Sequence, residues 1–127
     1  MMNRPEGKSV PEKSSRAVHL PERYGITSKR FIKNLEDMTS ALRAEGIVGT
    51  FPTTATVLTR HVNIMDALEG MEIAIHGRSH IDLTLLSESE QEASVRAAVG
   101  MFRKHGIHAV GFRAPYLRCN DSLMKVV

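Results

Sequence analysis

Apolar positions recur along this chain in short blocks whose spacing changes from helical to extended and back. Phe31, Leu35, Met38 and Leu42 fall at i, i+4, i+7 and i+11, one face of a helix. Thr27 and Ser28 are N-cap candidates for that helix, which runs to Glu45, and Gly46 stands where a helix ends on a left-handed residue. Ile47 to Thr53 reads as a strand. Leu58, Val62, Met65 and Leu68 then predict a second helix over 57–68, closed by Gly70. Met71 to His76 reads as a buried strand. Ser87 and Glu90 form the hydroxyl and carboxylate of a capping box, opening a helix that turns Val95, Ala98, Val99 and Phe102 inward. Gly106 closes it, Ile107 to Phe112 is extended, and Asn120 or Asp121 caps a last helix. With a short strand over Arg16 to Leu20, the order is β-α-β-α-β-α-β-α. That order predicts an α/β fold of parallel βαβ units with right-handed crossovers. Residues 1–15 are polar, carry two prolines and show no apolar period, so they read as a tail before one domain over 16–127.

The chain's 127 residues suffice for one domain with a real core. No apolar run approaches the length of a membrane span. The single Cys119 cannot form a disulfide within the chain. The net charge of +3 is mildly basic, yet no dense basic run or aromatic interleaving accompanies it, which argues against nucleic acid. Neither a GxGxxG nor a GxxxxGK[ST] run links a strand to a helix, so a nucleotide-binding fold loses support. No basic stretch followed by an apolar segment opens the sequence, and the expectation on that ground is a cytoplasmic protein.

Sites of α/β folds lie at the carboxyl ends of their strands. Two clusters stand there. His76-Gly77-Arg78-Ser79-His80 follows MEIAI and could offer two imidazoles to a divalent metal. The alternative is a loop whose imidazoles bond backbone carbonyls. Arg113-Ala114-Pro115-Tyr116 follows HAVGF and brings a permanent fork of donors, a fixed backbone angle and an aromatic. The alternative is an ordinary turn with a surface arginine.

Together these segments resemble the polysaccharide deacetylase family, the NodB homology domain of carbohydrate esterase family four. The family's metal motif is a His, a Ser or Thr, two residues and a second His after a strand like E-I-x-x-H. EIAIHGRSHIDLTLLSESE follows that run, FRAPY matches the later R-x-P-Y motif, and IVGTFPTTATVL resembles the strand after the first helix. The resemblance covers about residues 16–127. It implies the N-terminal part of a (β/α) barrel and a metal-dependent hydrolase of C–N bonds, other than peptide bonds, in N-acetylated carbohydrate. In such an enzyme His76 and His80 hold the metal, with zinc the expected ion. Arg113 orients the general base, the Tyr116 main-chain N–H helps hold the oxyanion, and Pro115 lies at the substrate.

Three departures accompany the likeness. The family's Asp-Asp pair, one the base and the other a ligand, has no match in His19-Leu20-Pro21-Glu22-Arg23-Tyr24-Gly25. If Gly25 is the family's glycine, the two positions hold Arg23 and Tyr24, and Glu22, or less readily His19, is the nearby substitute ligand. Gly77 replaces the usual Ser or Thr. The sequence reaches Val127 before any counterpart of the family's last motif. These departures open a second expectation, an inactive deacetylase-like module for binding or assembly. With about four strands the barrel cannot close, so homo-oligomers or completion by another chain are expected.

The remaining titratable residues read as structural. His61 lies near an apolar helix face, and His105 and His108 flank a helix end where a cation is favoured. Asp82 could be a third ligand but suits a turn or cap better. Cys119 has no His or Cys neighbour to activate it, and the seven methionines read as core filler.

Overall fold

A computed structural model describes residues 28–127. The expected strand over Arg16–Leu20, the N-cap at Thr27 and the candidate ligand Glu22 lie outside the described residues. Within them the chain runs α1 (Ser28–Ala44), β1 (Thr50–Thr53), α2 (Ala55–Arg60), α3 (Ile64–Ala67), β2 (Glu72–Ile75), a 3-10 turn (Leu83–Leu85), α4 (Glu88–Lys104), β3 (Gly111–Phe112), a second 3-10 turn (Pro115–Leu117) and α5 (Asp121–Val126). None of these helices is long and apolar enough to cross a membrane.

The three strands form one parallel sheet in the order β1-β2-β3. Thr53 pairs with Ile75, and Ile75 with Phe112, so the last residues of all three strands stand in one row. Ile73, Ala74 and Ile75 are all buried, as the residues of a central parallel strand should be. β1 is an edge among the described residues and accommodates Pro52, which has no N–H for a ladder. The helices bury Ile32, Leu35, Leu58, Ile64, Ala98 and Phe102 against the sheet. A smaller cluster of Leu83, Val95 and Leu123 packs α4, the first 3-10 turn and α5 together.

Two expected strands start later than their apolar residues do, for one shared reason. Ile47 donates its N–H to Leu42 and Gly46 donates to Arg43, while Ile107 donates to Phe102 and Gly106 to Arg103. These are Schellman closures, with Gly46 and Gly106 at positive φ. The isoleucine after each glycine therefore finishes a helix before the chain can join the sheet. The expected helix over 57–68 is broken at His61, where φ is −131° and ψ is 68°. Thr59 bonds back to the carbonyls of Ala55 and Thr56, a competition that weakens helices. The break buries Ile64, Ala67 and Leu68 and leaves Val62 exposed, contrary to its expected inward position. On α1, Thr39 rather than Met38 faces inward. Its hydroxyl donates to the Ala67 carbonyl at 2.8 Å, satisfying the end of α3.

Candidate active site

The sheet delivers both sequence clusters to the same edge. The His76 N–H donates to the Thr53 carbonyl and the Arg113 N–H to the Ile75 carbonyl, each at 2.9 Å. Both residues thus leave the sheet at its carboxyl end, one strand apart. The loop after His76 then docks on the start of α2. Ala55 and Thr56 donate their N–H groups to the carbonyls of Gly77 and Arg78, and the Thr56 hydroxyl adds a 2.7 Å bond to Arg78. Donors left unpaired at a helix N-terminus are satisfied by the loop that bears the imidazoles. Gly77 has φ of +81°, and a Cβ there would meet the Ser79 carbonyl oxygen at 3.0 Å. Glycine at this position is therefore part of how the loop folds, whereas the sequence alone shows only a missing hydroxyl.

The imidazoles of His76 and His80 lie edge to face, centroids 4.9 Å apart. The ring of Tyr116 packs on His80 at 4.5 Å in the same manner. His76 Nδ1 lies 2.7 Å from the main-chain carbonyl of Arg113. A carbonyl can only accept, so Nδ1 carries the proton and Nε2 keeps its lone pair in the neutral ring. The two alternatives for this histidine are thus compatible: one nitrogen bonds a backbone carbonyl, and the other is left for a ligand. These residues line a cavity of about 390 Å³ together with Pro52, Arg113, Ala114 and Leu117.

Not every candidate faces this cavity. Pro115, expected at the substrate, is fully buried beneath the turn, with its Cγ 3.6 Å from where a Gly77 Cβ would stand. Its rigid ring shapes the turn and packs the two loops together. Asp82 does not stand among the lining residues. It caps the first 3-10 turn through the Thr84 N–H and hydroxyl and pairs with Arg118 at 2.7 Å. The Thr84 hydroxyl, then Arg118, hold its carboxyl below the usual carboxylate range. His61 stacks on Phe31, its Nδ1 buried without a partner among the described residues. His105 bonds the Met101 carbonyl, and Cys119 is exposed. The sequence does not single out Pro52 and Leu117 as cavity walls or Arg118 as the partner of Asp82. Nothing in the local spacing links positions 36 residues apart.

The donor set tests whether a divalent ion suits the site. His76 and His80 share one face with one ring tautomer fixed, the form in which an imidazole binds metal. They fit two positions of a tetrahedral set. No third His, Cys, Asp or Glu joins them among the described residues.

A family model described as polysaccharide deacetylase matches residues 20–127. No curated protein matches the chain. Among solved structures, the chain resembles a family 4 carbohydrate esterase from Streptomyces lividans in complex with acetate, at 22% identity and a TM-score of 0.64, covering 75% of this chain and 50% of that one. It also resembles the Xyl-CE4 domain of a multidomain xylanase from the hindgut metagenome of Trinervitermes trinervoides, at 23% identity and a TM-score of 0.62, covering 73% and 47%. The chain spans about half the length of these structures, and the likeness shows the fold: the three parallel strands and their helices are part of a (β/α) barrel.

Proposed function

The chain belongs to the polysaccharide deacetylase family, and from that membership we propose a metal-dependent hydrolase that removes the acetyl group from N-acetylated carbohydrate. The observation that carries the proposal is the bond from His76 Nδ1 to the Arg113 carbonyl, which unites the two motif loops at one cavity. His76 and His80 would hold the ion, with Glu22 the candidate for a further ligand. A bound zinc or similar ion polarises the acyl carbonyl and lowers the pKa of water.

Each of the chain's own groups has a role in this reading. The Arg113 carbonyl fixes the His76 tautomer, and the Arg113 guanidinium, on the cavity wall, offers a charged fork to a carboxylate or an acyl oxygen. The Tyr116 N–H donates to no group among the described residues and suits a developing oxyanion. Tyr116 and Leu117 form the apolar rim, against which a sugar ring can lie. Deacetylation of an acetylated chito-oligosaccharide by the purified protein, raised by added zinc and abolished by a chelator, is the expected result.

A second reading is an inactive binding module. One observation favours it: no carboxylate lines the cavity among the described residues, so none of them is placed to take a proton from water. Binding of the same oligosaccharide without turnover, at any metal loading, would decide for it.

A further inference from the structure

The turn that carries Tyr116 is strained, and burial does not explain why it persists. Tyr116 and Leu117 both have φ of 57°, a region that residues with a Cβ rarely occupy. Such conformations survive only where their surroundings over-determine them. The two residues are 61% and 71% exposed, so their own burial supplies little of that constraint, although the buried Pro115 ring anchors the start of the turn. Leu117 donates its N–H to Ala114 and Arg118 to Pro115, but bonds of this kind close turns of either hand.

The residue just past the turn makes a more selective contact. Arg118 Nη1 reaches Asp82 Oδ2 at 2.7 Å. Asp82 stands two residues after His80, and its other oxygen is already held by the Thr84 N–H at 3.1 Å and the Thr84 hydroxyl at 2.6 Å. Only 9% of its side chain is exposed. An exposed ion pair is weak partly because two mobile side chains must be ordered. Here the carboxylate is ordered beforehand, so only the arginine has to be. The pair spans 36 residues and joins the loop after β2 to the turn after β3.

We propose that Asp82 and Arg118 are positioning residues, whose ion pair holds the left-handed Tyr116–Leu117 turn over His80. Neither residue lines the cavity, and the pair acts through the placement of the Tyr116 ring and N–H. The inference rests on reading the cavity as a hydrolytic site.

The test uses the full chain and a readout that does not depend on turnover. The rings of His80 and Tyr116 are close enough for a nuclear Overhauser contact between their protons. That contact should disappear in Arg118→Ala and persist in Arg118→Lys. If the strain account is right, Leu117→Gly in the Arg118→Ala background should restore it, because glycine takes positive φ without a steric cost. Should Arg118→Ala not fold, Arg118→Gln removes the charge while keeping the stem. A contact unchanged in Arg118→Ala, or not recovered in the double variant, overturns the proposal. Turnover, where present, should fall roughly 10–100-fold in Arg118→Ala, as for lost outer partners of a site. A wild-type chain without turnover, with the contact still lost in Arg118→Ala and recovered in the double variant, would sink the hydrolase reading and leave the positioning intact.

Discussion

His76 and Arg113 are joined by a 2.7 Å hydrogen bond that uses the arginine's main chain, not its charge. The parallel register makes this possible, since each residue directly follows its strand and both emerge at the same edge. The tie should therefore survive replacement of the side chain. In Arg113→Lys, nitrogen-15 shifts of His76 should still report a protonated Nδ1, while any deacetylation falls because a point charge does not replace a bidentate fork. A variant in which the His76 tautomer changes would show that the guanidinium, rather than the carbonyl, sets it.

Metal affinity should depend on both imidazoles. In a zinc titration followed by calorimetry, His76→Ala and His80→Ala should each weaken binding more than the roughly 10–100-fold typical of outer partners, because each removes a direct ligand. Asp82→Asn should leave affinity closer to wild type, since Asp82 caps a turn and pairs with Arg118. Equal losses in all three variants would return Asp82 to the ligand set.

Much of this arrangement was legible in the chain, and the failures have physical causes. The glycines at 46, 70 and 106 take positive φ where a helix end required it. Ser87 and Glu90 close the expected capping box, and Asn120 caps α5. Periodicity misplaced Met38 and Val62 because it ranks residues by apolarity alone. Thr39 is buried for the carbonyl it satisfies, and Gln91 is buried to bond the Leu83 and Leu86 carbonyls. Strand lengths were overestimated because a Schellman closure and a buried strand both place an apolar residue after the glycine. The two motif loops could be assigned to one edge from topology, but the hydrogen bond between them and the Asp82–Arg118 pair are tertiary facts with no local signature.

The capping box gives α4 a definite pH dependence. The Ser87 N–H, and then its hydroxyl, hold the Glu90 carboxyl below its ordinary 4.5. A carboxyl depressed in the folded state adds stability that is fully present above its unfolded value and is lost as pH falls through the folded one. The melting temperature should thus decline as pH drops below that ordinary value of 4.5. Glu90→Gln should flatten that part of the decline while leaving the melt near neutral pH lower than wild type. A Glu90→Gln profile parallel to wild type at low pH would show that other carboxyls carry the acid sensitivity.

The glycine between the two histidines offers the sharpest test of how this loop differs from its relatives. A family motif with Ser or Thr at this position suggests that Gly77→Ser would restore a lost hydroxyl beside the metal. The local geometry argues the reverse. At φ of +81° a residue with a Cβ is strained, by about 1–2 kcal/mol from the left-handed conformation alone. The new Cβ would also press on the Ser79 carbonyl oxygen at 3.0 Å, an atom of the backbone that cannot swing aside as a side-chain end could. Ser79 is the residue before His80, and the Gly77 and Arg78 carbonyls are committed to the N-terminus of α2. Relief must therefore come from moving His80 away from His76 or from breaking the bonds to Ala55 and Thr56. Gly77→Ser and Gly77→Ala should both lower the unfolding free energy in urea by more than that strain, and by similar amounts, because the Cβ rather than the hydroxyl is at fault. Both should also weaken zinc binding. If Gly77→Ser instead binds zinc more tightly than wild type and matches its stability, the loop can take the family's conformation, and the glycine is a substitution the backbone does not require.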